Sequence, residues 1–268
     1  DHEWQNLIVQ GDNLQFLKTC YRNVDPLIKD KVKGKVKLIY IDPPFATKSE
    51  FEGRNGEKSY TDKIDAAEFI EALRERLVYL RELLADDGSL YVHLDQKMSH
   101  YLKVVLDELF DSDNFRNEVI WQRTRAQHTD LKSFGNIHDN ILVYSKNISS
   151  MFATQYVPHK EEYIKRFNKI DENGRSYMLI PAHAPGAGPA REFFGKLIPP
   201  PTGRHWTYKQ ETIDKLIEQN KIELTSKGTP SLRHYLDETK GAVVQSLWTD
   251  IVPLNPVAAE RVNYPTQK

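Results

Sequence analysis

Only one cysteine occurs in the 268 residues, so no disulfide framework can form, and Cys20 reads as a small buried apolar side chain. No run of 18 apolar residues and no signal-peptide pattern is present, which argues against a membrane span and for a cytoplasmic protein. An excess of charge is also missing. The 37 Lys and Arg are balanced by 38 Asp and Glu, a net of −1, so any contact with a polyanion must come from a local basic face. Metal-ligand spacing is lacking too: His93 and Asp95 stand two apart, but no third ligand follows, and no metal is expected. Asp95 reads instead as the cap of the next helix. Finally, the glycines occur in no context comparable to a cofactor loop: Gly34, Gly53 and Gly56 do not follow a strand and open a helix as one requires.

What is present is organised around Leu38-Ile39-Tyr40-Ile41-Asp42-Pro43-Pro44-Phe45. Four apolar residues without alternation predict a short strand buried on both faces, at the centre of a parallel sheet. Two prolines then fix their own φ and donate no hydrogen bond, and Pro43 holds Asp42 out of the helical region. A carboxylate and two carbonyls are thus set at the carboxyl end of a strand, where open α/β sheets bind ligands. An ordinary strand-ending turn with a surface Asp is the plainer alternative. From average composition, however, Asp-Pro-Pro-aromatic arises by chance in only about a few chains per thousand of this length.

Upstream, Leu7 to Val9 reads as a second strand, followed by Gly11-Asp12-Asn13, a turn in which Asp12 can cap a helix carrying Leu14, Leu17 and Tyr21. Five lysines between Lys29 and Lys37 predict an exposed approach to the central strand. Ala46 to Asp62 is polar and without period, a long connection read as a loop closing over the site. Asp65 and Glu68 form a capping-box-like pair, and Phe69, Ile70, Leu73, Leu77, Leu80 and Leu84 make one apolar helical stripe. Asp86-Asp87-Gly88 ends that helix, and Leu90 to Val92 returns as a strand, completing a β-α-β crossover. A second helix carries Tyr101, Leu102, Val105, Leu106 and Leu109. Val119 to Trp121 and Ile141 to Tyr144 read as a strand pair, joined by a basic connection with Arg123, Arg125, His128 and Lys132, which suits phosphate contacts or a plain solvated loop.

From Asn147 the character changes. Residues up to 245 are rich in Pro, Gly, basic and aromatic types, and 183–189 and 199–206 are expected to be irregular backbone. Only Lys209 to Gln219 looks helical, with Ile213, Leu216 and Ile217 inward. Arg204, His205 and Trp206 are of the types that contact nucleic acid, while some aromatics, Phe194 among them, either stack on nucleotides or form the segment's own core.

The segment Lys37 to Phe45, taken with 6–14, 88–95, 117–121, 138–144 and 264–268, resembles the amino-group DNA methyltransferases of the β-class, especially modification subunits of type III restriction systems. The resemblance implies an α/β, Rossmann-like methyltransferase sheet over 1–146, an inserted target-recognition region over 147–245, and a return to the catalytic core over 246–268. It implies S-adenosylmethionine as methyl donor, double-stranded DNA as partner, and a restriction subunit or a homodimer as further partners. It places catalysis at Asp42, Pro43, Pro44 and Phe45, and cofactor contacts at Asp12, Asn13, Asp42, Thr266, Gln267 and Lys268. It departs in one place: the cofactor Phe-x-Gly-x-Gly loop is absent, and the chain starts at Asp1, so a fragment of a longer enzyme is expected.

The chemistry follows from the turn. An exocyclic amino nitrogen is a poor nucleophile because its lone pair is delocalised into the ring. Acceptors at the Asp42 side chain and the Pro43 carbonyl would take both amino hydrogens and turn the lone pair towards the methyl group. The base must leave the duplex, and Phe45 would stack on it. Cys20 lies in no nucleophile motif, so direct transfer is expected. Asp rather than Ser at position 42 inclines the resemblance to adenine N6, with cytosine N4 and a noncatalytic DNA-binding module as the alternatives.

Overall fold

The computed structural model describes residues 6–43, 50–52, 58–61, 66–125, 134–148 and 152–251. The chain divides into two units, one formed by Asp1–Ala153 with Gln245–Lys268 and the other by Thr154–Val244.

In the first unit, helix α1 (Asn13–Arg22) begins where expected: Asp12 is its N-cap, accepting the Gln15 amide at 2.9 Å. It ends on Asn23 in the left-handed region, φ 57°, whose amide closes onto the Thr19 carbonyl. Strand β1 (Val36–Ile41) leads to a short antiparallel pair, β2 (Glu50–Glu52) and β3 (Lys58–Thr61), so the long polar connection contains paired backbone. Helix α2 (Ala66–Leu83) buries Phe69, Leu73, Leu77 and Leu80 on one stripe. It stops one residue short of Leu84, which opens β4 (Leu84–Leu94). Gly88 is needed there because a Cβ would lie 2.7 Å from the Val36 carbonyl oxygen of the neighbouring strand. After β4, Asp95 accepts the Lys97 and Met98 amides at 3.0 and 3.1 Å and so caps the turn into α3 (Ser99–Phe110). Strands β5 (Phe115–Gln122) and β6 (His138–Ser145) complete the main run.

The sheet order is β1-β4-β6-β5, with a last short strand, Leu247–Trp248, beyond β5. β1 runs parallel to β4, the crossover expected through α2, and the last strand runs parallel to β5; β4–β6 and β5–β6 are antiparallel. The α/β architecture is therefore as expected, on a mixed rather than parallel sheet. Alternation assigns the two faces. Leu90, Val92, Leu94, Leu142 and Tyr144 pack with α1, α2 and α3 in the main core. Val119, Ile141 and Val143, with Tyr91 and Trp248, form a smaller cluster on the opposite face. Truncating a fully buried member such as Leu77 or Leu106 should cost about 2–5 kcal/mol.

Two expectations about strands need correction. β1 is not buried on both faces: Ile39 and Ile41 join the main core, while Leu38 and Tyr40 are 61% and 53% exposed. Nor is it central; among the described residues it is an edge strand, because β4 is its one partner. Leu7 to Val9 form no strand and are exposed, since an apolar run becomes a strand only where a neighbour takes its backbone hydrogen bonds.

The second unit is not irregular. It opens with β7 (Tyr156–Val157), a single turn α4 (Glu161–Ile164), β8 (Lys169–Ile170) and β9 (Ser176–Pro181). β10 (His183–Pro185) follows, then β11 (Arg191–Phe193), β12 (Lys196–Ile198) and β13 (Arg204–Trp206). Helix α5 (Gln210–Glu218), β14 (Ile222–Leu224), β15 (Pro230–Tyr235) and β16 (Ala242–Val243) complete it. β14-β15-β9-β8 form an antiparallel sheet; β10 pairs with β13, β11 with β12, and β16 with β7. Within the stretches expected to be irregular, His183–Pro185 and Arg204–Trp206 are three-residue strands, too short to show a period of two, while 186–189 and 199–203 are irregular as expected. Ile213 on α5 is buried as predicted and packs with Phe193, Trp206 and Ile222. The β11–β12 turn is Phe194-Gly195, with φ of 52° and 74°, the left-handed pair of a type I′ hairpin.

Among the described residues no helix is long and apolar enough to cross a membrane, and no group of three His, Cys, Asp or Glu is arranged to hold a metal ion.

Candidate active site

The alternation of β1 sends Tyr40 and Asp42 to the face opposite α1–α3, and its parallel register with β4 (Tyr40 beside Tyr91, Ile41 beside Val92) brings Asp42 next to His93. The Asp42 carboxylate, 37% exposed, has its Oδ1 4.0 Å from His93 Nδ1. That nitrogen is engaged at 2.6 Å by the Tyr40 hydroxyl. His93 itself is 2% exposed, and its Nε2 lies 3.1 Å from Asp139 Oδ2. Asp139, 1% exposed, meets Arg123 Nε at 3.0 Å through its other oxygen. Arg123 also donates to the Asn136 carbonyl at 3.1 Å. The Trp121 indole closes the row edge-on to the His93 ring, centroids 5.7 Å apart, and donates to the Ile251 carbonyl.

Electrostatics assign the protons along this row. A carboxylate as deeply buried as Asp139 is tolerated only when paired, and it has a cation on one oxygen and an imidazole N–H on the other. Burial first, then the negative charges of Asp42 and Asp139, push the Tyr40 phenol up to about 12. Tyr40 therefore keeps its proton, and its hydroxyl is paired with Nδ1 while Nε2 is paired with Asp139.

The remaining expected residues are distributed as follows. Pro43 follows Asp42 directly and is half-buried. Pro44, Phe45, His128, Lys132, Thr266, Gln267 and Lys268 lie outside the described residues. Asp12 and Asn13 sit together at the start of α1, where Asp12 Oδ1 is used in the cap and Asn13 Oδ1 accepts from Arg76 at 2.7 Å. Arg125 is exposed and donates to the Thr249 carbonyl at 3.0 Å. Arg123, expected to contact phosphate, is partly exposed and pairs with Asp139 through Nε.

In the second unit Arg204 is exposed, and His205 is half-buried against the Gly186–Gly188 turn, where a Cβ on Gly188 would fall 2.5 Å from the His205 Cβ. Trp206 is 5% exposed, packs edge-on against Phe193 at 4.8 Å and donates to the Ile198 carbonyl. It is a core residue with no free face for a base, which corrects its expected role. Tyr40, His93 and Asp139 went unrecognised as a group. The signal for Asp139 was an acid in the polar His138-Asp139-Asn140 start of a strand that continues apolar through Ile141 to Tyr144.

Relatives carry the geometry to a family. The chain is 34% identical over 241 residues to the type II methyltransferase M.EcaI of Enterobacter cloacae, covering 88% of this chain and 53% of that protein. It is 34% identical over 179 residues to a probable type III restriction-modification enzyme HindVI Mod subunit of Haemophilus influenzae, covering 65% and 22%. To the type III enzyme EcoP15I Mod subunit of Escherichia coli it is 24% identical over 285 residues, covering 81% and 42%. The chain thus spans about half the length of these relatives or less. Among solved structures, a putative DNA modification methylase from Thermus thermophilus, complexed with S-adenosyl-L-methionine, shows a weak likeness: 17% identity, TM-score 0.34, 59% of this chain and 64% of that one. A family model described as DNA methylase, covering the N6 and N4 amino methyltransferases, matches residues 36–268, and the chain belongs to that family.

Proposed function

We propose that this chain carries the target-amine site of an enzyme that methylates the N6 amino group of adenine in DNA, within a restriction-modification or stand-alone methylation system. The observation that carries the reading is the Asp42 carboxylate, partly exposed at the carboxyl end of β1, immediately before Pro43 and beside the ordered Tyr40–His93 pair. A carboxylate oxygen there and the Pro43 carbonyl accept the two amino hydrogens, which favours a pyramidal nitrogen with an available lone pair. Phe45 is assigned the stacking of the extruded base from its place in the sequence.

S-adenosylmethionine, when bound, supplies the methyl group on a sulfonium sulfur. The donor set fits it: Asp42 is an anion suited to a neighbouring sulfonium, and Asp12, Asn13, Thr266, Gln267 and Lys268 are the side chains assigned to the remainder. The second unit, Thr154–Val244, is assigned to reading DNA, with Arg204 exposed for that purpose and Trp206 holding its core. The Mod-subunit relatives favour a restriction subunit as partner, with a homodimer as the other assembly.

The test is methyl transfer from labelled S-adenosylmethionine into unmethylated DNA by the full-length protein, followed by nucleoside analysis. Label in N6-methyladenine that disappears in Asp42→Ala supports the proposal. Label in N4-methylcytosine reassigns the base, and absence of label with cofactor bound overturns the reading.

A further inference from the structure

Methylating an amino nitrogen leaves it positively charged, and the reaction is complete only when that nitrogen loses a proton. The proposed function, on which this inference rests, puts the Asp42 carboxylate in reach of that proton but gives it nowhere further to go once base and cofactor exclude water. Behind Asp42 the first unit holds an ordered row of hydrogen-bonding groups drawn from three strands. His93 Nδ1 is 4.0 Å from Asp42 Oδ1 and 2.6 Å from the Tyr40 oxygen, Nε2 is 3.1 Å from Asp139, and Asp139 is 3.0 Å from Arg123.

This row costs stability to bury and is not needed to hold the strands together. β1, β4 and β6 are already tied by their backbone ladders and by the apolar core on the other face. An apolar pair in place of His93 and Asp139 would pack the same sheet without desolvating a charge. The geometry also has a direction. Nδ1 is turned to the Tyr40 hydroxyl on the Asp42 side, whereas Nε2 is tethered to the Asp139 carboxylate, which would stabilise an imidazolium. Arg123 offsets part of the Asp139 charge.

We infer that Tyr40, His93 and Asp139 form a proton relay that withdraws the amino proton from Asp42 after methyl transfer. The proton passes from the charged nitrogen to the Asp42 carboxylate. The protonated Asp42, two residues beyond Tyr40 on the same face of the chain, gives it to the Tyr40 oxygen while the Tyr40 hydroxyl proton moves to Nδ1. The nitrogen becomes neutral, Asp42 is again a carboxylate, and His93 is an imidazolium held between Tyr40 and Asp139. Reversal through Tyr40, which is half exposed, returns the proton to solvent when product leaves. Among the described residues, the charged and titratable groups facing His93 are Tyr40 from β1, Asp42 just beyond it, Asp139 from β6 and Arg123 beyond β5; none needs to change its net charge over a full cycle.

The experiment is multiple-turnover methylation by the full-length protein with Tyr40→Phe, which removes only the hydroxyl from a half-exposed ring. The expected result is a fall of about ten- to a hundredfold in rate with unchanged binding of DNA and S-adenosylmethionine. The lost rate should return as imidazole or another small buffer base is added, a response the wild type lacks. His93→Gln should fall by as much, and the double variant should fall no further than either single one. A wild-type rate in Tyr40→Phe overturns the relay, as does a fall that no buffer base restores or a double variant that loses the two effects additively. Asp42→Ala separates the two levels: if it methylates normally the underlying site is wrong, whereas a dead Asp42→Ala with a fully active Tyr40→Phe removes the relay alone.

Discussion

Replacing Asp139 by Ala is the sharpest probe of how the site is held. The carboxylate is 2% exposed and serves two donors, His93 Nε2–H at 3.1 Å and Arg123 Nε at 3.0 Å. Its removal leaves the imidazole N–H buried without a partner, which costs about 1–3 kcal/mol. Arg123 is 44% exposed and regains water, so its share is screened and adds only about 0–1 kcal/mol. The expected loss is therefore about 1–4 kcal/mol, and for a unit of this size each kcal/mol lowers Tm by about 2–4 °C. Thermal melts of Asp139→Ala should fall by roughly 2–16 °C. Asp139→Asn keeps one acceptor and should lose about half as much. In a cycle with Arg123→Ala, the double variant should be no worse than Asp139→Ala within about 0.5 kcal/mol, because both changes break one contact. Losses in Asp139→Ala below about 0.5 kcal/mol, or strict additivity with Arg123→Ala, would refute the claim that this carboxylate is the fixed point of the row.

The Tyr40 phenol, pushed up to about 12 from its ordinary value of 10.0, keeps a proton that the unfolded chain has lost, so stability is intact below pH 10.0 and declines as pH rises to about 12. Urea melts across that window should show a smaller decline in Tyr40→Phe than in wild type. Phe194 occupies the left-handed region at φ 52° in the first position of a type I′ turn, so Phe194→Asn should stabilise the second unit by about 1 kcal/mol in denaturant titrations. Gly241, with φ 109° and a potential Cβ 2.5 Å from the Val157 carbonyl oxygen, should lose about 1–3 kcal/mol on conversion to Ala, read by the same titrations. The Cys20 thiol, 1% exposed and raised by burial and then by Asp25, should react with a thiol reagent only as fast as the first unit opens.

The helices were legible because their signals are local and repeated. Asp12 sits where a cap must sit, and Phe69 to Leu80 recur at helical spacing with a single solution. The position of β1 in the sheet was not legible, since Leu38 to Ile41 read as an apolar run whether or not a second neighbour exists to bury Leu38 and Tyr40. Leu7 to Val9 failed for the same reason. In the second unit, pairs such as His183–Pro185 with Arg204–Trp206 are set by partners about twenty residues away, beyond what a short window carries. Asp42 was found from its prolines. Its companions were not, because Tyr40, His93, Asp139 and Arg123 become neighbours only through the registers of β1–β4 and β5–β6.

The insertion of the second unit has an evolutionary and practical consequence. It is entered and left by one zipped stem: β7 pairs with β16, and the Val244 amide closes onto the Gln155 carbonyl at 3.0 Å, so the two ends of 154–244 lie side by side. A host sheet with adjacent attachment points does not register the size or content of what is spliced between them. The segment is thus a cassette. Exchange at the stem would transplant another segment of ninety-odd residues, or a length of plain linker, while β5 and the strand Leu247–Trp248 still meet to close the host sheet.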